Sequence, residues 1–203
     1  AYVSNGRAVS YDVYASTVDG EGAPTRSNRL AIGVECTVPF AETFDTADDA
    51  DLWTVEDLNG GVTWQYSASS KHMYYKYDEN RLPGDDWLYS PAIRLEAGKM
   101  YMLTYDYRSM MSSYPESFSV SLGTAATSAG MTRQLADHPQ VKSGKVPDKG
   151  TAAFSVEAGG LYYIGFHETS APNMYTLTLD NIALREISDK VPAAPALEIT
   201  PGE

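Results

Sequence analysis

An all-β sandwich is the fold this sequence predicts, on three observations. Short runs that alternate apolar and polar residues recur along the 203 residues, separated by Gly, Pro, Asn, Asp and Ser, and none carries a helical stripe. The hydrophobic share of 43% is enough to fill a core. Fifteen Tyr against five Phe favour strands, and they suit surfaces that are apolar at one end and wet at the other. Many short strands with frequent turns belong to sandwiches and barrels.

In residues 1–35, Tyr11, Val13 and Ala15 alternate with Asp12 and Tyr14, a turn-rich patch comes next at 19–24, and a second strand runs through about 30–35. A lone hairpin is marginal in water, so it is expected to pack on the main body of the chain. That main region, 36–187, opens with CTVPFAETFD and continues with LWTVED (52–57), TWQYSAS (63–69) and HMYYKY (72–77). Asn59-Gly60-Gly61 between two aromatic runs predicts a hairpin. In the strand 100–108, Tyr101, Leu103, Tyr105 and Tyr107 take one face and Met100, Met102, Thr104 and Asp106 the other. Further strands are read at 117–123, 131–137, 152–157, 161–168 and 174–187. In the last of them Tyr175, Leu177 and Leu179 hold one phase, Ile182 and Leu184 the opposite one, so the period slips at Asp180-Asn181 as it does at a β-bulge. Residues 188–203, with Pro192, Pro195 and Pro201 and no period, read as a linker.

The formal charge of −12 argues against nucleic acid and against an anionic membrane as partners, and makes cations the natural counterpart. Cys36, the single cysteine, allows neither an intrachain disulfide nor a Cys-based zinc site, and reads as a small buried apolar residue. No apolar run of about 18 residues offers a membrane span, and no signal peptide is read. His72, His138 and His167 lie in no hydrolase or zinc-protease motif, and there is no nucleophile elbow or phosphate loop, so the chain is not read as an enzyme. The acidic run Asp45, Asp48, Asp49 and Asp51 lacks EF-hand spacing and reads as a solvated loop.

The candidate ligand-binding residues are Trp64, Tyr66, Tyr74, Tyr75 and Tyr77, because flat aromatic faces stack on the C–H faces of sugar rings while the hydroxyls stay hydrated. Trp64 and Tyr66 share a face, as do Tyr75 and Tyr77, with Tyr74 opposite. The same residue types also fill sandwich cores. Trp53 and Trp87 are expected to be buried, and Tyr114, in a Ser/Pro turn, exposed.

Residues 85–108, DDWLYSPAIRLEAGKMYMLTYDYR, carry a resemblance. The Asp-Asp-Trp-Leu, the Ser-Pro step, the Leu-x-Ala-Gly-Lys turn and the aromatic Tyr-x-Leu-x-Tyr-Asp-Tyr strand resemble the cleaved-adhesin, or choice-of-anchor J, family of MAM-like jelly-roll modules, common on surface and secreted proteins of Bacteroidetes. Pro39-Phe40-Ala41-Glu42-Thr43-Phe44 resembles the way that family enters its jelly roll. The resemblance implies a two-sheet antiparallel jelly roll over 36–187. It also implies that Glu42 and Asp180, with Asp45 close by, lie together where first and last strands meet and hold a structural Ca²⁺. One of Asp85 and Asp86 would orient the following turn. The segment Glu56–Gly61 is sparser in acids than the corresponding loop of the family, which argues against a second metal site there. Residues 1–35 resemble the end of a fibronectin type III domain, with Tyr11 as its corner tyrosine, and 188–203 resemble the entry to another module.

The expected function is a non-catalytic adhesion or carbohydrate-binding module of a modular secreted or cell-surface bacterial protein. Its partners would be a glycan or a host or matrix protein, with neighbouring β modules on the same polypeptide. The alternatives are an accessory domain of a secreted protease or glycosidase, and a spacer that binds nothing.

Overall fold

The structure is a computed structural model, and it describes residues 34–80 and 82–187 with their side chains and backbone strands within 2–33. The N-terminal strands are β1 (Tyr2–Val9), β2 (Asp12–Val13), β3 (Ser16–Thr17), β4 (Gly20–Glu21), β5 (Thr25–Arg26) and β6 (Leu30–Thr37). Next come β7 (Phe40–Glu42), the one-turn helix α1 (Ala47–Ala50), β8 (Thr54–Asp57), β9 (Gln65–Ser67) and β10 (His72–Lys76). The central strands are β11 (Asp86–Tyr89), β12 (Ala92–Leu95), β13 (Met100–Ser109) and β14 (Glu116–Gly123). The chain then forms β15 (Arg133–Val141), β16 (Asp148–Ser155), β17 (Gly160–Glu168) and β18 (Thr176–Ile187).

In the first sheet β17 is central, with β14 and then β15 on one side and β11 and β12 end to end on the other. Pro91, which has no N–H to give to a ladder, separates β11 from β12. Ser90 bridges the gap: its N–H donates to the Ile164 carbonyl, and its hydroxyl oxygen accepts from the Ile164 N–H, both at 2.9 Å. β8 lies outside β11, and β6 lies outside β12 in parallel register, Ile93 opposite Cys36. β6 runs unbroken across position 35 and pairs with β1, so the N-terminal hairpin extends this sheet. Tyr11 and residues 188–203 lie outside the described residues.

In the second sheet β18 is flanked by β13, and then β16, on one side and by β10 and β7 end to end on the other, with β9 outermost. The two sheets enclose one core. Tyr101, Leu103 and Tyr105 of β13 and Leu177, Leu179, Ile182 and Leu184 of β18 pack against Leu88, Ile93, Val120, Ile164 and Phe166 of the first sheet. Trp53 closes one side, its ring centroid 5.3 Å from Phe44 and 6.3 Å from Phe166. Cys36 is buried. Gly150 is required beneath Tyr105, because a Cβ there would lie 2.0 Å from the ring.

Two local expectations are corrected. The Asn59-Gly60-Gly61 turn does not close a hairpin, since β8 pairs with β11 in the first sheet and β9 with β10 in the second. Its geometry comes from tethers. Asp57 Oδ1 accepts from Gly60 N (2.6 Å), Asp86 Oδ1 accepts from Leu58 N (3.0 Å), and the Asn59 amide donates to the Pro83 carbonyl (2.8 Å). These pull the chain over the rim from one sheet to the other. Within the acidic run, the solvated loop contains α1. Thr46 and Asp49 form a capping box, Asp49 N donating to Thr46 Oγ1 (3.3 Å) and Thr46 N to Asp49 Oδ2 (2.9 Å).

Trp87 is buried as expected, but on the outer side of the first sheet. It stacks on His167 (4.2 Å between ring centroids) and on Tyr89 (5.6 Å). The connection between β14 and β15 lies nearby, with Ser128 N donating to Glu56 Oε2 (2.7 Å).

Candidate functional site

The ladder positions decide which predicted aromatics can meet a ligand. In β10, Met73 and Tyr75 lie opposite Leu179 and Leu177 of β18, which face the core, so this phase points inward. Tyr66 lies opposite Met73 and packs, half-buried, against the same core. Trp64 and Tyr75 are each 3% exposed; their rings meet edge to face at 6.0 Å, and the Trp64 indole N–H donates to the Asp86 carbonyl (3.3 Å). The structure therefore places Trp64 and Tyr75 in the core and turns Tyr66 toward it, which corrects their assignment to a binding surface. Tyr74 points to the outer face of the second sheet and donates its hydroxyl to Gln65 Oε1 (2.7 Å).

Tyr77 lies past the end of β10 and belongs to a cluster the sequence did not reveal. Its N–H donates to the Tyr175 carbonyl (3.2 Å), and the two rings stack at 6.4 Å and 23°. Tyr114 lies 6.5 Å from Tyr175, and it is exposed as expected. Met110, Met111, Tyr114 and Tyr175 are each 40–43% exposed, and of the large apolar side chains exposed among the described residues only Leu58 and Val146 lie elsewhere. The turn that carries the methionines is internally braced. Ser109 Oγ is 2.9 Å from the carbonyls of both Met111 and Tyr114, and Met110 N donates to the Thr176 carbonyl (2.9 Å). Alternation alone puts Tyr175 in phase with Leu177, but Tyr175 precedes the first residue of β18, where strand alternation no longer applies. The available signal was the Met-Met pair and Tyr114 standing in a Ser/Pro turn.

The cluster continues into polar recesses on the outer face at the bulge. Thr104 pairs with Ala183 and Asp106 with Asp180, so two steps along β13 face three along β18, and Asn181 takes the left-handed backbone (φ 50°). The slip read from the sequence is there. It opens a recess of about 350 Å³ lined by Thr104, Asp106, Lys149 and Asn181. A smaller one of about 130 Å³ adjoins it, with His72, Arg108, Thr178 and Asp180 in its wall. Asp106 ion-pairs with Lys149 (2.6 Å) and accepts from the Asn181 amide (3.1 Å).

The predicted metal ligands meet only loosely. Glu42 is buried, Oε1 accepting from Phe44 N (2.7 Å) and Oε2 from the Trp53 indole (3.3 Å). Asp45 is exposed and paired with Lys71 (3.1 Å), whose hydrogen bond holds its carboxyl below the usual range. Burial raises the Asp180 carboxyl; the Asn181 N–H opposes this, and the charges of Asp106, Asp45 and Glu42 add to the rise. Among the described residues no three acidic, His or Cys side chains converge as a metal-holding group. Asp85 pairs with His167 (2.8 Å), and Asp86 orients the 57–61 turn through Leu58 N.

The architecture is that of a two-sheet antiparallel jelly roll with one recessed outer face. Among solved structures it is similar to the K1 cleaved adhesin domain of Lys-gingipain from Porphyromonas gingivalis W83, with 17% identity over 74% of this chain and 99% of that one, at a TM-score of 0.56. It is also similar to the K2 cleaved adhesin domain of Lys-gingipain (17% identity, 72% and 99% covered, TM-score 0.55). A third similar structure is the CBM22-1 xylan-binding domain of Paenibacillus barcinonensis Xyn10C (16%, 74% and 95%, TM-score 0.51). At these identities the likeness establishes the fold. No protein-family model matches the chain, and no curated protein sequence does. No helix among the described residues is long and apolar enough to cross a membrane.

Proposed function

We propose that this chain is a non-catalytic glycan-binding or adhesion module of a modular protein, displayed outside the cell, and that it binds through the outer face of its second sheet. The observation that carries this reading is the braced cluster in which Tyr114 and Tyr175 are exposed and the half-buried Tyr77 stacks on Tyr175. Contiguous exposed aromatic surface marks an interaction site. Rings fixed by backbone hydrogen bonds before binding lose little freedom on contact with a ligand. The adjoining recesses, with Thr104, Thr178, Asn181 and Tyr74 nearby, offer hydroxyl and amide partners for sugar hydroxyls. The names of the similar structures, adhesin and xylan-binding domains, support the same reading. A spacer that binds nothing has no use for such a cluster. The same surface would serve a module that accompanies a protease or glycosidase on one chain.

Tyr175→Ala and Tyr114→Ala are each expected to weaken binding to the glycans retained on an array by about tenfold, the value of one good aromatic contact. Affinity by calorimetry, with unchanged melting temperature as the folding control, makes the check. If the unaltered protein retains no glycan, the reading fails.

A structural Ca²⁺ held by Glu42, Asp45 and Asp180 is a second proposal. The donors are all hard oxygens, and the repulsion from Asp106, Asp45 and Glu42 that adds to the burial raising Asp180 is what a cation would relieve. Binding asks Asp45 to exchange Lys71 for the ion. The ion would tie the first strand of the jelly roll to the last. Ca²⁺ is expected to raise the melting temperature, and Asp180→Asn to abolish the rise; no calorimetric binding and a melting temperature indifferent to EDTA would end the proposal.

A further inference from the structure

We propose that the ligand of this face is an anionic glycan, whose carboxylate or sulfate sits between Arg108 and Lys76 while its sugar rings lie on the tyrosine cluster. This rests on the glycan-binding reading above and names the class of sugar.

Arg108 of β13 lies opposite Thr178, and Lys76 of β10 lies opposite Thr176, so the two cations flank β18 on the outer face, one rung apart. Strand spacing and rise put their Cα atoms about 12 Å apart. Both are long side chains that can close on a group seated over the two threonines. The tyrosine cluster begins where they end, with Lys76 Nζ 5.0 Å from the centre of the Tyr77 ring and an Arg108 Nη hydrogen-bonded to Met110 Sδ.

Their partners are poor ones. Lys71, Arg94, Lys99 and Lys149 each hold a carboxylate. Among the described residues Arg108 and Lys76 hold none, as Arg133, Lys142, Lys145 and Arg185 do not, but only these two flank one strand beside the tyrosine cluster. Arg108 donates to the Lys145 carbonyl (3.3 Å) and to a thioether, a weak acceptor, and its Nε is buried with no partner. A guanidinium left this way has its strongest interaction still to make, and a planar carboxylate or a sulfate fits its fork. Its field is felt locally, since after burial it is the next cause that depresses His72. Of the acids nearby, Asp106 is taken by Lys149 and Asn181, Asp148 accepts from Ser143 Oγ, and Asp180, which shares the wall of the smaller recess with Arg108, accepts from the Asn181 N–H. In a chain of net charge −12, two cations that hold no carboxylate, set side by side next to the tyrosine cluster, are where an anionic group of a ligand would find its partner.

The test compares three probes by calorimetry: polygalacturonate for carboxylates, dextran sulfate for sulfates, and neutral xylohexaose. At least one anionic glycan is expected to bind tenfold or more tightly than xylohexaose, with an affinity that falls as salt is raised. Arg108→Gln and Lys76→Gln are expected to remove most of that preference and of the salt dependence, with the melting temperature held. Which polymer wins separates carboxylate from sulfate. Equal or tighter binding of xylohexaose, untouched by Arg108→Gln, overturns the anionic proposal and leaves the glycan-binding reading standing. Binding of none of the three, together with a blank glycan array, overturns both.

Discussion

Trp64→Ala is expected to cost about 3–5 kcal/mol of stability, the range for emptying a buried large aromatic site. It should leave the glycan affinity of the folded protein unchanged. The residue is 3% exposed, it packs edge to face on Tyr75, and its indole N–H satisfies the Asp86 carbonyl. Removal therefore leaves a cavity between the sheets and a buried carbonyl with one partner fewer. Chemical denaturation at fixed pH checks the stability, and calorimetry under conditions where the variant stays folded checks the affinity. A loss of affinity with unchanged denaturation midpoint would put Trp64 back on a binding surface. The contrast with Tyr175→Ala, expected to change affinity and not stability, separates scaffold from site.

The strand 100–108 was legible because only one of its phases is aromatic and aliphatic throughout, so Tyr101, Leu103 and Tyr105 had one place to go. The bulge was legible because the slip from Leu179 to Ile182 cannot be accommodated otherwise if both are to face the core. The phase of HMYYKY was not legible, since Met73 and Tyr75 alternate with His72 and Tyr74, and either pair could face inward. Only the pairing with Leu177 and Leu179 of β18, distant in sequence, decides it. The Asn59-Gly60-Gly61 segment carried the local chemistry of a hairpin, but its partners Pro83 and Asp86 belong to another part of the chain and redirect it. The binding cluster was hidden for the same reason. Tyr77, Tyr114 and Tyr175 come from three connections at one end of the sandwich, and no period in any one of them shows that they meet.

Above pH 6.5 the melting temperature is expected to fall up to about pH 8 and to level off beyond it, and Glu168→Gln is expected to remove most of the fall. Asp86 and Glu168 face each other across the β11–β17 ladder, and both are fully buried. Glu168 Oε1 accepts from Ser170 N (2.9 Å), and Asp86 Oδ1 from Leu58 N (3.0 Å); Oε2 and Oδ2 have no hydrogen-bond partner. Gly84 packs so closely on Glu168 Oε2 that a Cβ there would overlap it. Burial pushes the Glu168 carboxyl up to about 8, against the Ser170 hydrogen bonds, with the charges of Glu116 and Asp86 adding to the rise. Burial likewise pushes Asp86 up to about 6, against the Leu58 N–H. Both native values lie above the unfolded ones, so the folded state binds more protons than the unfolded state, and stability must fall as pH rises. The contribution of Glu168 is complete below its unfolded value and is lost as pH climbs through about 8, at about 1.4 kcal/mol for each pH unit between the two. Burial depresses His138, whose Nε2 lies 2.7 Å from Tyr105 Oη, so its contribution is lost in the opposite direction, as pH falls from its unfolded value through the lower native one. The range above pH 6.5 lies above the value to which Asp86 is raised and above both depressed histidines, His72 and His138, so it reports Glu168. Glutamine keeps the shape and the acceptor for Ser170 but cannot ionise. A melting temperature in the unaltered protein that stays flat from pH 6.5 to 8 would mean that Glu168 does not hold its proton, and that its orphaned oxygen is balanced by something other than hydrogen.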